Sequence, residues 1–148
     1  MAKSPRPLVG SLILVGLMVF GAVIFAQRGK DSVTFCQRVL KELIAGRSAV
    51  SANIDWNHLQ AVGVNVGAQY TALPNDQERA KYRQTFVSGF AHGFAQAKGN
   101  IKDFTHWQIE GQNAHQITVA ANYDLKHKVL LMTIPASGKK MLESLQWQ

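Results

Sequence analysis

The sequence predicts an α+β domain behind an N-terminal transmembrane helix, and three observations predict it. Leu8 to Ala26 is a run of nineteen residues without a charge. Between Asp31 and Lys98 the apolar residues recur at helical spacing. After Gly99 they alternate with polar ones, the period of a half-buried strand. Helices followed by strands give an α+β arrangement, with the helices on one face of an antiparallel sheet.

At about 1.5 Å per residue, the first run reaches roughly 28 Å as a helix, the thickness of a hydrocarbon layer. Lys3 and Arg6 precede it, and Arg28 and Lys30 follow it. A cleaved secretory signal is the competing reading. The run is longer than a signal core, and Ile24-Phe25-Ala26 puts a bulky residue where cleavage wants a small one. Residues 1–30 are therefore expected to be a membrane anchor and 31–148 an extracytoplasmic, periplasmic domain, with the N-terminus in the cytoplasm. Gly10, Gly16 and Gly21 do not have the spacing of a close-packing helix dimer.

The net charge of +7 is largely a property of the flanks of this run. From Asp31 onward, twelve basic residues face nine acidic ones, so no nucleic-acid partner is expected. The expected partners are the lipid bilayer and other envelope proteins or further copies of the chain. Cys36 is the one cysteine, read as a small buried apolar residue because a single thiol makes no intrachain disulfide. Its solitude and the lack of an Asn-x-Ser/Thr sequon suit a bacterial envelope protein.

Within residues 31–148, a first helix is expected from Asp31 or Ser32 to Gly46, with Val33, Cys36, Val39, Leu40, Leu43 and Ile44 along one stripe. A short second helix is expected after Asp55, burying Trp56, Leu59 and Val62. Pro74-Asn75-Asp76 opens a long third helix to about Lys98, whose Tyr82, Phe86, Phe90 and Phe94 recur every four residues on one face. Gly89 and Gly93 beside this stripe predict close approach by another element. Four antiparallel strands are then expected: one around Thr105, Trp107 and Ile109, one over Ile117–Tyr123, one over Val129–Ile134, and one from Lys139 to Trp147. A tight Pro135–Gly138 loop would pair Met132 with Met141 and Leu130 with Glu143.

This order of elements resembles the NTF2-like, or cystatin-like, superfamily. The residues carrying the resemblance are Phe86-Val87-Ser88-Gly89-Phe90, Trp107-Gln108-Ile109-Glu110-Gly111 and Ile117-Thr118-Val119-Ala120. The resemblance implies a cone of three helices on a curved four-stranded sheet. It also implies one of three roles: pocket enzyme, ligand-binding module, or membrane-tethered scaffold of a secretion machine.

No nucleophile elbow or phosphate loop occurs, and the five histidines are dispersed, so no catalytic residue, metal ligand or cofactor is named. The sequence reading is a membrane-anchored binding or assembly domain. Its alternative is a small-molecule pocket enzyme of the isomerase or cyclase type. The candidate pocket residues are Arg83, Glu143, Tyr70, Asp55, Phe90 and Trp107, with Arg83 and Glu143 expected to face one apolar interior.

Overall fold

A computed structural model describes residues 27–148 in full and, for 9–26, the helical backbone. The chain forms two compact units, Met1–Asp31 and Ser32–Gln148. Helix α1 spans Val9–Ile44. Among the described residues, no helix is long and apolar enough to cross a membrane. Residue 8 and the side chains of 9–26, on which the anchor and the cleaved-signal alternative rest, lie outside the described residues. With no membrane-crossing helix among the described residues, the membrane anchor, the bilayer partner and the periplasmic location are corrected.

The expected start of a helix at Asp31 or Ser32 is also corrected. Both lie inside α1, and Ser32 is buried there. The stripe beyond them supplies core through Phe35, Cys36, Val39, Leu40 and Leu43, spaced three and four apart. Gly46 ends the helix at φ +67, its N–H donating to the Leu43 carbonyl.

A 3-10 helix over Ser48–Asn53 follows. The short helix expected after Asp55 does not form. Instead the segment from Asn53 to Val62 runs beside residues 142–145: Leu142 N–H donates to Asn53, Asp55 N–H to Leu142, Gln60 N–H to Glu143 and Val62 N–H to Leu145. This pairing gives strand β1 (Gln60–Ala61), then β2 (Val64–Asn65) and helix α2 (Val66–Thr71). Trp56 and Leu59 are buried as expected, but Val62 stands 52% exposed at φ +49 in the β1–β2 turn.

Helix α3 spans Asp76–Gln96. Asn75 caps it by accepting the Glu78 N–H at 2.9 Å, and Asp76 and Glu78 complement its dipole. Its one fully buried residue is Val87. One turn on, Ala91 lies where a Cβ on Gly46 would approach within 3.1 Å. The aromatic stripe Tyr82, Phe86, Phe90, Phe94 is only half-buried, being rotated off this seat by about 100°.

After a 3-10 turn over Ile101–Asp103 come β3 (Phe104–Gln112), β4 (Gln116–Tyr123), β5 (Lys128–Pro135) and β6 (Ser144–Trp147). The expected curved four-stranded cone is corrected to an open six-stranded sheet in the order β2-β1-β6-β5-β4-β3. The β1–β6 pair is parallel and the others antiparallel. The last hairpin also differs from expectation. Met132 pairs with Leu145 and Leu130 with Trp147, a shift of four residues, because the loop extends through Glu143. The reason is local: Leu142 is held in a bridge with Ile54 and is buried there, so the return to β5 begins only at Glu143, whose N–H donates to the Thr133 carbonyl.

On one face of the sheet Val119, Ala121 and Tyr123 of β4 meet Leu130, Met132 and Ile134 of β5 and Leu145 of β6. With the α1 stripe they form the hydrophobic core. In β3 the pairing shifts between Thr105 and Gln108, and His106 sits there at φ +52. The extra residue keeps both Phe104 and Trp107 against the core.

Candidate functional site

The half-buried stripe of α3 forms one wall of a cavity of about 510 Å³. Gly89, Phe90, Gly93 and Phe94 supply that wall, with Ala97 beyond the helix end. The sheet opposes them with Tyr123 of β4, Lys128 of β5 and Trp147 of β6. Lys126 in the β4–β5 turn and Val62 in the β1–β2 turn complete the rim. Such a volume, mostly apolar with a few polar groups, is that of a small-molecule site.

The register explains why these side chains meet. Tyr123 pairs with Lys128 and Leu130 with Trp147, and paired residues share a face. That face points at α3. Phe90 and Phe94 stack at 5.0 Å between centroids, and Phe94 reaches Tyr123 at 6.1 Å. Tyr123 in turn lies 5.3 Å from Trp147 and 4.6 Å from Phe104. The rings thus form a continuous lining from helix to sheet. Burial pushes the Tyr123 phenol above its ordinary value, with Asp103 adding to it, so it stays a neutral hydroxyl at physiological pH.

The glycines reverse the expectation drawn from sequence. A Cβ built on Gly89 or Gly93 meets no atom within 4 Å. No element packs against them; they face open space and widen the cavity. Gly67 is the opposite case, since a Cβ there would fall 2.4 Å from the Asn57 carbonyl oxygen.

The six candidate residues distribute over several places. Phe90 lines the cavity. Tyr70 is buried, stacks near Trp56 and accepts a hydrogen bond from Arg83, whose guanidinium lies 5.9 Å from the Tyr70 ring. Arg79 approaches the same ring at 5.9 Å. Glu143 instead accepts from the Gln116 amide at 3.0 Å, since the register shift moves it out of the strand. Asp55 takes the Asn57 N–H at 3.2 Å on one oxygen and pairs with His58 Nδ1 at 2.9 Å on the other. That contact raises the His58 imidazole above its ordinary value, through the hydrogen bond first and the carboxylate charge second. Trp107 donates its indole N–H to the Phe104 carbonyl at 3.1 Å and lines a separate groove that also carries Arg38, Lys41 and Lys102.

Sequence reasoning missed Phe94, Tyr123, Trp147, Lys126 and Lys128 as cavity residues. The spacing of the stripe could have placed Phe94 with Phe90. Lys128 and Trp147 depend on a register that the loop decides. Cys36 contributes no reactivity, because burial pushes its thiol up to about 12. Among the described residues, no group of three His, Cys, Asp or Glu is placed to hold a metal ion.

Compared with protein families, with curated proteins and with solved structures, the chain matches none. The resemblance to the NTF2-like superfamily is therefore overturned, as the open six-stranded sheet also requires. The scaffold reading thereby loses both its tether and its family.

Proposed function

We propose that residues 32–148 bind a small, mainly apolar molecule in the cavity between α3 and the β4–β6 face. The open space in front of Gly89 and Gly93 carries this reading. A glycine inside a helix costs about 1 kcal/mol relative to alanine. Two of them one turn apart, with nothing packed against either, leave a flat strip of backbone beside two stacked rings. A planar or chain-like ligand fits that strip. The titratable groups on the wall are Tyr123, Lys126 and Lys128, and any reaction run there would draw its proton transfers from them. Between the two roles weighed from sequence, the small-molecule pocket is thus favoured over the assembly surface.

The test uses the neutral fluorophore N-phenyl-1-naphthylamine and the full chain. Saturable one-to-one binding is expected, and Gly93→Leu, which fills the strip, should abolish it while leaving the unfolding midpoint no lower. An absence of saturable binding, or equal binding by the filled variant, would refute the site.

A further inference from the structure

Resting on that reading, the geometry points to the ligand class: we infer that the cavity takes an amphipathic monocarboxylate, its apolar part along Gly89–Phe94 and its carboxylate between Lys126 and Lys128. The lining is asymmetric in charge. Among the described residues lining it, both charged groups are ammonium groups and none is acidic. They come from one end of the sheet, Lys126 from the β4–β5 turn and Lys128 from the first position of β5. Lys128 shares the cavity face because it pairs with Tyr123.

The nearby carboxylates are occupied elsewhere. Both Asp124 oxygens accept from the Thr105 hydroxyl, at 3.1 and 3.0 Å, on the edge strand. Asp103 accepts the Asn100 N–H at 2.7 Å in a capping box. Neither lines the cavity, so an entering anion meets a rim whose charged groups are both cationic, above an aromatic floor.

The head group follows from the cost of desolvation. A carboxylate carries a single charge on two oxygens, which the N–H donors of two ammonium groups satisfy. A phosphate monoester presents three and carries more charge, and the rest of the lining is dominated by hydrocarbon and aromatic surface that would leave it under-solvated.

The experiment titrates the full chain with decanoate, 1-decanol, decylammonium and decyl phosphate, following tryptophan emission, to which Trp147 reports directly. Decanoate should bind about tenfold more tightly than decanol, the scale of one charge-assisted contact. The Lys126→Gln/Lys128→Gln double variant should remove that difference, weakening decanoate more than decanol. Raising salt should weaken decanoate and spare decanol. Equal binding of decanoate and decanol, a preference for decylammonium, or tighter binding of decyl phosphate would overturn the carboxylate inference and leave the cavity reading standing. Binding of none of the four would overturn both.

Discussion

Phe94 of α3 and Tyr123 of β4 face each other with ring centroids 6.1 Å apart, and the missing side chain of Gly99 makes room for both. A Cβ at Gly99 would fall 2.7 Å from the Tyr123 phenol oxygen and 2.9 Å from the Phe94 ring. This contact joins the helix side of the cavity lining to its sheet side.

Three glycines should respond to alanine in three ways. Gly93→Ala meets open space and should stabilise by about 0.5–1 kcal/mol through helix propensity. Gly67→Ala drives a methyl into the Asn57 backbone carbonyl and should cost about 1–3 kcal/mol or more. Gly99→Ala, which meets movable ring atoms, should fall between them. Urea unfolding of the three variants checks the order, and a destabilised Gly93→Ala would show that α3 is packed where the structure leaves it open.

Phe90 and Met132 should separate a pocket wall from a core residue. Met132 is fully buried between β4 and β6, so Met132→Ala should cost about 2–5 kcal/mol. Phe90 is half-buried on the cavity, so its loss forfeits roughly half a transfer term and leaves no closed void, about 1–1.5 kcal/mol. The same variant should weaken ligand uptake. Equal costs at the two positions, measured by chemical denaturation, would make Phe90 core.

Protonation of His58 is linked to folding through Asp55, with Glu143 adding a smaller attraction. The folded-state imidazole is raised, so the folded protein binds this proton more tightly than the unfolded chain. The stabilisation is fully present below the ordinary imidazole range and is lost as pH rises through the raised value. Solvent keeps it small, because His58 is exposed. An NMR titration should find the His58 midpoint above the ordinary value and Asp55→Asn should return it there. A midpoint unmoved by that substitution would remove Asp55 as the cause.

Removal of residues 1–30 should leave a fragment with a cooperative unfolding transition and near-UV dichroism, since among the described residues the hydrophobic core draws on Val33 and those after it. Removal of residues 1–46 should abolish both signals, because Phe35, Cys36, Val39, Leu40 and Leu43 leave the core with it. A folded second fragment would mean that α1 contributes no essential packing.

Side-chain period was legible because it is a property of a single element. The stripe ending at Leu43, the Asn75 start of α3, the aromatic row of α3 and the alternation of β4 all follow from spacing, whatever lies opposite. Phe90 could therefore be placed on an inward-turned row. The row could not show whether it met another element or a void, and the same ambiguity turned Gly89 and Gly93 into expected contact points.

The sequence by itself determined an α+β order of elements, which faces of the helices and strands are apolar, and an unreactive buried Cys36. Tertiary structure decided the rest: that residues 60–65 add two strands to the sheet, that β6 starts at Ser144, and that Lys128 and Trp147 share a cavity face with Tyr123. The physical reason is distance along the chain. Periodicity reports the direction of a side chain from its own backbone, whereas register and cavities arise from competition among segments far apart in sequence. Here the bridge between Ile54 and Leu142 wins that competition, holding Leu142 out of the β5–β6 pairing and setting the register that brings Trp147 to the cavity.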